Sequence, residues 1–278
     1  GDSFVFGSGV DEPNTIDKLL ENKLIKEKID FKVINLGVPG AGVLKYFETL
    51  KDYIKFNPKF IFMFIYIDND IIRKVYSASL LLKFDKIIGN SFLLENIKIL
   101  TGLKIAKDNI AYYKSDEHLK QFDIPGSTLK IFKNENVNPF ILHISNRGYL
   151  DKYYSDLNEF DIQNSNYYKN IFKKADMIAK NSNVEFCLVI VPSKYQIKKK
   201  YVDFAIKNLG YKFLKEDIIN DDIQKILKIF ANENKINLID LTEHLKKSEN
   251  DNYYMIDDHF NKIGNKLVAE QIFNYLSE

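Results

Sequence analysis

The spacing of apolar residues alternates along the chain between helical periodicity and short apolar runs. Apolar residues recur every three or four positions, as on one face of a helix, over residues 15–29, 43–56, 167–180, 221–234 and 262–276. Shorter runs suited to strands lie at 31–35, 59–67, 184–191 and 236–241. This alternation predicts an α/β protein with a parallel sheet and helices on both sides of it.

One long segment does not follow this pattern. Residues from about 71 to 160 mix short apolar clusters with many tyrosines and a turn, "DIPGSTLKIF". The aromatic content argues against disorder, so the segment is interpreted as a partly helical insertion between two strands of the core. The prediction is therefore a single domain over residues 1–278, interrupted by an insertion at about 71–160.

Composition and charge narrow the functional classes. The chain of 278 residues is 45% hydrophobic and 28% charged, with a formal net charge of +2, an ordinary globular balance that provides no basic field for nucleic acid. The most apolar long region, residues 78–100, is interrupted by Lys83, Asp85 and Lys86 and is not expected to cross a membrane. The single cysteine, Cys187, lies in an apolar run and is expected to be a buried, unreactive thiol.

Polar residues that could carry chemistry follow the predicted strands. In an open parallel sheet, ligands bind beyond the carboxyl ends of the strands. Candidates at such ends, or before the last helix, are the short segments 2–3, 37–42, 68–70, 192–194 and 257–259. The histidines outside these segments, His118, His143 and His244, have no second histidine or cysteine at ligand spacing, so no metal site is predicted.

Together these segments contain the groups that acyl transfer requires. Ser3 is the candidate nucleophile, His259 the candidate base and Asp257 the carboxylate that orients the imidazole. The backbone N–H groups of Ser3 and Gly40 and the side-chain amide of Asn69 are candidate donors to an oxyanion. Glycine permits close approach of the backbone to a substrate, and asparagine donates without carrying charge.

Four motifs occur in order along the chain: "GDSF", "NLGVPG", "IDND" and "DDHFN". In this set the chain resembles the SGNH hydrolase superfamily, also called the GDSL lipase/esterase family, over residues 1–70 and about 161–278. The resemblance implies a flavodoxin-like, three-layer α/β/α sandwich and assigns the same five residues to the triad and oxyanion hole. It also implies a first strand before residue 1, because the nucleophile motif of that family follows its first strand.

The chain departs from the pattern of this family at two positions. Ile67 stands where the third motif often has glycine, which leaves the amide of Asn69 in place. The last motif often reads Asp-x-x-His, but Ile256 occupies the position three before His259. Both Asp257 and Asp258 are close enough in sequence to act, and Asp257 is favoured.

The resemblance also suggests a reaction and a substrate. It implies a serine-dependent ester hydrolase that removes a small acyl group, from a carbohydrate by analogy with relatives, through an acyl-enzyme and without a cofactor. Ser193, Lys194 and Tyr254 are candidate substrate contacts, although core or loop packing also explains them. Family analogy favours the cell envelope or an extracellular location, and the oligomeric state is left open.

Two alternatives remain open from the sequence. An O-acetyltransferase acting on polysaccharide would use the same triad, with an acceptor hydroxyl in place of water. A catalytically silent carbohydrate-binding module would keep the fold, but an intact set of Ser3, Asp257 and His259 argues against it.

Overall fold

The computed structural model describes residues 1–72, 162–209, 221–255 and 257–277. Apart from residues 71 and 72, the predicted insertion at about 71–160 lies outside this part of the chain.

The helices and strands follow the periodicity of the sequence closely. The strands are β1 (Phe60–Tyr66), β2 (Glu185–Val191) and β3 (Asn237–Asp240). The helices are α1 (Ser3–Phe6), α2 (Ile16–Lys26), α3 (Val43–Tyr53), α4 (Ile162–Asn181), α5 (Lys194–Ile197), α6 (Lys199–Leu209), α7 (Asp222–Asn234), α8 (Thr242–Lys246) and α9 (Lys262–Ser277). The five predicted helices and three of the four predicted strands are confirmed to within a few residues.

Within the described residues, the three strands form a parallel sheet in the order β1-β2-β3. Phe60 pairs with Glu185 at one end of the β1–β2 ladder and Tyr66 with Val191 at the other. β3 continues the sheet beside β2, with Ile190 opposite Asp240. Because the strands are parallel, their carboxyl ends lie along one edge of the sheet, and the segments that follow them emerge there.

Alternate residues of β1 belong to two different hydrophobic clusters, as expected of a strand buried on both faces. The first cluster contains Phe64 and Tyr66, and the second contains Met63 and Ile65. Helices α2 and α9 contribute to the first cluster through Leu20, Leu24, Val268 and Ile272. Helices α3, α4 and α7 contribute to the second through Leu50, Phe172 and Phe230. The chain is therefore an α/β protein with a parallel sheet.

The prediction of a strand at residues 31–35 was wrong, since these residues have no regular secondary structure. A strand requires a neighbouring backbone with which to form a hydrogen-bonded ladder, and within the described residues this segment pairs with no strand. Its Phe31 and Val33 instead pack against the first cluster and line a cavity of about 610 Å³. The lining of this cavity also includes Phe62 and Phe64 of β1.

Within the part of the chain that the structure describes, none of the helices combines the length and the apolar character needed to cross a membrane.

Candidate active site

Ser3 is the first residue of a short helix that is fixed at both ends. The Asp2 side chain accepts a hydrogen bond from the N–H of Phe4 at 3.0 Å and so caps the N-terminus of α1. The helix ends at Gly7, whose φ of 86° is left-handed and whose N–H donates to the carbonyl of Ser3 at 3.1 Å. As the first helical residue, Ser3 has an N–H that no carbonyl within the helix can accept.

The acid and the imidazole lie in a loop that folds back on itself near the C-terminus. Tyr253 and Phe260 form an isolated antiparallel bridge, and the N–H of Tyr254 donates to the carbonyl of His259 at 3.2 Å. Within this loop the N–H of His259 donates to Oδ1 of Asp257 at 2.9 Å. Hydrogen bonds within the loop thus orient the carboxylate and the imidazole independently of their contact with Ser3.

Ser3, His259 and Asp257 form one hydrogen-bonded chain. Nε2 of His259 lies 2.7 Å from Oγ of Ser3, and Nδ1 lies 2.5 Å from Oδ1 of Asp257. An ionised carboxylate only accepts hydrogen bonds, so Nδ1 must carry the proton that bonds to Asp257. Nε2 of the neutral imidazole is then an acceptor for the Ser3 hydroxyl, which is the arrangement that general-base activation of a serine requires.

Burial and charge act in opposite directions on this pair. Burial favours the neutral form of Asp257, but His259 and then Lys194 counteract it, and the pKa of the carboxyl lies below its ordinary 3.8. Burial also favours neutral His259, but the carboxylates of Asp257, Asp2 and Asp258 outweigh it and hold its pKa above 6.5. Asp257 therefore stays ionised at neutral pH, and the imidazole is a stronger base than a free histidine.

Phe4 supports the imidazole from the core side. Its ring centroid lies 4.9 Å from that of His259, 4.9 Å from that of Phe260 and 4.4 Å from that of Tyr66. Phe4 is itself buried in the first cluster. The residue that follows the nucleophile in sequence thus connects the hydrophobic core to the base, a contact that the sequence motifs did not indicate.

The glycine-rich second motif packs against the beginning of the chain. The side-chain amide of Asn35 donates to the carbonyl of Val5 at 2.7 Å, and its oxygen accepts from the N–H of Gly37 at 2.9 Å. A Cβ built on Gly37 would lie 2.3 Å from the backbone nitrogen of Phe6, so this close approach requires glycine. These contacts hold the second motif beside α1.

Gly40 lies in the turn that follows this anchor. It adopts a left-handed φ of 74°, and a Cβ built on it would meet nothing within 4 Å. The neighbouring Val38 N–H donates to the carbonyl of Gly1 at 3.1 Å, which brings the turn close to the nucleophile segment. Glycine is suited to the conformation of this turn, and the space around it is open.

The third motif forms a π-helical turn, Ile67–Ile72, directly after β1. Asp70 is buried and accepts hydrogen bonds from the hydroxyl of Tyr46 at 2.9 Å and from the N–H of Tyr66 at 3.0 Å. Oδ2 of Asp68 accepts from the hydroxyl of Tyr66 at 3.1 Å. The two aspartates of "IDND" therefore anchor the turn, whereas the predicted donor, the side chain of Asn69, lies outside the described part of the chain.

The candidate substrate contacts Ser193 and Tyr254 have structural partners. Ser193 is buried and caps α5, with its N–H donating to Oε1 of Gln196 at 3.0 Å in a capping box. The hydroxyl of Tyr254 donates to the carbonyl of Gly9 at 2.6 Å. This bond links the loop between Tyr253 and Phe260, called the histidine loop below, to the segment after α1.

The third candidate, Lys194, is almost fully buried, with 1% of its side chain exposed, and Nζ lies 3.0 Å from Oδ1 of Asp258. The sequence did not indicate this ion pair. The sequence feature that could have indicated the ion pair is Asp258, the second aspartate of "DDHFN", which has no assigned role once Asp257 is paired with the imidazole.

Cys187 and the large cavity do not belong to this site. Burial raises the pKa of the Cys187 thiol to about 12, which makes it a poor nucleophile. The cavity of about 610 Å³ is lined by Val5 and by residues 60–64 of β1 but by neither Ser3 nor His259.

Comparison with known proteins identified no relative of this chain. No protein-family model matches the chain, and the searches of curated proteins and of solved structures returned no similar protein. The functional interpretation therefore depends on the motifs and on the geometry described above.

Proposed function

We propose that the chain is a serine-dependent ester hydrolase of the SGNH type that removes a small acyl group through an acyl-enzyme. One observation carries the proposal. A hydroxyl, an imidazole and a carboxylate, which come from opposite ends of the sequence, form a continuous hydrogen-bonded chain with distances of 2.7 and 2.5 Å. A serine on the surface of a helix has no structural need for this arrangement.

The reaction follows from the position of the protons. Oγ of Ser3 attacks the ester carbonyl while Nε2 of His259 takes its proton, and the resulting imidazolium is stabilised by Asp257. Collapse of the tetrahedral intermediate breaks the C–O bond of the ester, and the imidazolium gives its proton to the leaving alcohol. Water then attacks the acyl-Ser3 with His259 again as the base, which releases the acid and restores the hydroxyl.

The oxyanion of each tetrahedral intermediate is assigned to the N–H groups of Ser3 and Gly40 and to the amide of Asn69. Two observations support the backbone donors: the Ser3 N–H begins a helix, and the left-handed turn at Gly40 is held beside the same segment. A single donor of this kind contributes about 10²- to 10³-fold to kcat.

The fold that we propose is the flavodoxin-like, three-layer α/β/α sandwich implied by the motif order. The parallel sheet and the two hydrophobic clusters that share β1 support it. The resemblance further points to esters of carbohydrates, for which acetylated sugars are the first substrates to test.

The test combines an aryl acetate assay with covalent labelling by a fluorophosphonate, which reacts with activated serines. We expect wild type to hydrolyse the ester and to be labelled at Ser3. Ser3→Ala should lose labelling and lose roughly 10³-fold or more in kcat. The labelling reports the nucleophile even if the natural acceptor is a hydroxyl and not water.

The matched control removes a hydroxyl remote from the site. Ser277 is exposed at the end of α9, where its hydroxyl donates to the carbonyl of Phe273 at 2.9 Å. Ser277→Ala should keep both labelling and turnover. Equal labelling of wild type and Ser3→Ala, or equal turnover by both, would contradict the proposal.

A further inference from the structure

Lys194 directs its ammonium group at the loop that carries the acid and the base. Nζ lies 3.0 Å from Oδ1 of Asp258 and donates to the carbonyl of Met255 at 3.0 Å and to that of Asp257 at 3.3 Å. A fourth contact, to the carbonyl of Tyr254, is 3.5 Å long. Every one of these acceptors belongs to the loop between Tyr253 and Phe260.

The other end of this lysine is held rigidly. Lys194 begins α5 immediately beyond β2, and Ser193 before it forms the capping box of that helix. β2 is the central strand and pairs on both sides. The side chain of Lys194 therefore extends from a capped helix beyond a strand that is paired on both sides, and its ammonium group contacts the histidine loop.

Because Lys194 is buried, water cannot replace these contacts if they are lost. With 1% of its side chain exposed, Lys194 depends on the protein to replace the water that its three N–H donors would otherwise bind. Asp258 supplies the compensating charge, and the carbonyls of Met255 and Asp257 supply the remaining acceptors. A displacement of the loop would break several of these bonds at once, so the loop has one strongly preferred position.

We propose that Lys194 is a positioning residue that, through its ion pair with Asp258 and its bonds to the loop carbonyls, holds Asp257 and His259 in register with Ser3. Its effect on turnover rests on the proposed esterase function, whereas its effect on the geometry of His259 does not. The nearly complete burial of its side chain separates this role from direct contact with a substrate.

The kinetic test is Lys194→Met, which keeps most of the chain length and removes the ammonium group. Misplacement of a catalytic group by about 1 Å costs roughly 10²-fold, so we expect kcat for an aryl acetate to fall by about 10- to 100-fold. KM should stay within about two-fold of wild type, since only the transition state uses the aligned base. A raised KM with unchanged kcat would overturn the proposal and indicate a substrate contact.

Lys198 provides a matched control four residues further along. Its Nζ donates to the carbonyls of Glu249 and Asn250, outside the histidine loop. Lys198→Met also removes a lysine that binds backbone carbonyls, but it should leave kcat within about two-fold of wild type. An equal loss of kcat in both variants would overturn a specific role for Lys194.

An NMR measurement reports the geometry without any substrate. The proton on Nδ1 of His259, which is hydrogen-bonded to Asp257, should give a low-field resonance in wild type. His259→Ala should remove this resonance. We expect Lys194→Met to shift this resonance upfield or broaden it, while Lys198→Met leaves it unchanged. An unchanged position and width of this resonance in Lys194→Met, or its absence from wild type, would overturn the proposal. If wild type hydrolyses no ester but Lys194→Met still alters the resonance, the esterase function fails and the positioning role stands.

Asp258→Asn covers the case in which Lys194→Met does not fold. Its side chain is 21% exposed, so the substitution leaves a polar group of equal size in contact with water. It removes the charge that pairs with Lys194 and that also helps to raise the pKa of His259, so kcat is compared on the high-pH plateau of each variant. A folded Asp258→Asn should show the same shift of the resonance and about a three- to ten-fold lower kcat. Wild-type values for both measurements would overturn the proposal.

Discussion

The charge state of His259 depends on the carboxylates around it. Burial lowers its pKa, but the carboxylates of Asp257, Asp2 and Asp258 raise that pKa by more than burial lowers it. The net pKa of the imidazole is therefore above 6.5. Only the neutral imidazole can take the proton of Ser3. We therefore expect kcat/KM for an aryl acetate to rise with pH through a midpoint above 6.5, measured in buffers of constant ionic strength.

Removal of the neighbouring carboxylate should move that midpoint. Asp257→Asn eliminates both its charge and its hydrogen bond to Nδ1, so the midpoint should shift to lower pH and the plateau should fall on the order of 10³- to 10⁴-fold. Glu243→Gln, an exposed carboxylate on α8, is the control and should leave the profile unchanged. A midpoint in Asp257→Asn at or above that of wild type would contradict this account.

The same pair makes folding stability depend on pH. The pKa of Asp257 is lowered, so its contribution is present above its ordinary 3.8 and is lost as the pH falls through the folded value. The pKa of His259 is raised, so its contribution is complete below 6.5 and is lost as the pH rises through the folded value. The difference in free energy of unfolding between wild type and Asp257→Asn, from urea titrations, should be largest between pH 3.8 and 6.5. A difference that grows above this window would contradict the assignment.

At the residue level, the order of the motifs pointed to three residues that the structure brings together, whereas the predicted amide donor on Asn69 lies outside the described part of the chain. Ser3 lies within hydrogen-bonding distance of His259, and His259 within hydrogen-bonding distance of Asp257, although Ser3 is far from the other two in sequence. The partnership of Lys194 with Asp258 could not be predicted in the same way. A lysine after a strand is compatible with substrate binding or with burial, and the choice depends on where a distant loop folds back.

Single elements were predictable where one periodicity dominates a long segment. Strands β1 and β2 and helices α3, α7 and α9 follow their apolar patterns closely. Residues 31–35 have a strand-like composition but form no strand, because composition provides no neighbouring backbone. Strand formation is a property of two segments, and a pattern in one of them cannot establish it.

For Gly264→Ala in helix α9, helix propensity and packing predict changes of opposite sign in the free energy of unfolding. Alanine normally stabilises a helix relative to glycine by up to about 1 kcal/mol. A Cβ on Gly264, however, would lie 2.1 Å from the carbonyl oxygen of Asn252 and 2.9 Å from the ring of Phe260. Because one of these atoms belongs to the backbone, we expect Gly264→Ala to lower the free energy of unfolding by about 1–3 kcal/mol in urea titration.

The control for this prediction lies two residues further along α9. Lys266 is exposed and at a distance of 4.0 Å from Glu270 forms only a loose ion pair. Lys266→Ala should therefore change stability by less than about 0.5 kcal/mol. A gain in stability for Gly264→Ala would show that helix propensity outweighs the close approach of α9 to Asn252.

At the scale of the whole molecule, the site belongs to one of the two hydrophobic clusters. Phe4, Tyr253 and Phe260 are members of the first cluster, and the ring of Phe4 contacts that of His259, whereas Phe172 and Phe230 belong to the second cluster. β1 contributes alternate side chains to both. Stability depends on the two clusters together, but the geometry of the triad depends on the first.

Two phenylalanine substitutions separate these dependences. Phe172→Ala and Phe4→Ala each remove a buried aromatic side chain and should each lower the free energy of unfolding by about 3–5 kcal/mol. Phe4→Ala also leaves a cavity beneath the imidazole, so we expect it to reduce the rate of fluorophosphonate labelling at Ser3 by about 10-fold or more. Phe172→Ala, assayed where it remains folded, should be labelled at close to the wild-type rate.

The comparison is informative because the two variants lose similar contact area and differ in which side of β1 they disturb. If general loosening of the fold governed the nucleophile, labelling would fall in proportion to the loss of stability and the two rates would be similar. If the first cluster and not the second positions the imidazole, the rates diverge while the unfolding free energies remain comparable. Equal labelling rates at matched stability would therefore contradict the view that Phe4 couples the core to the base.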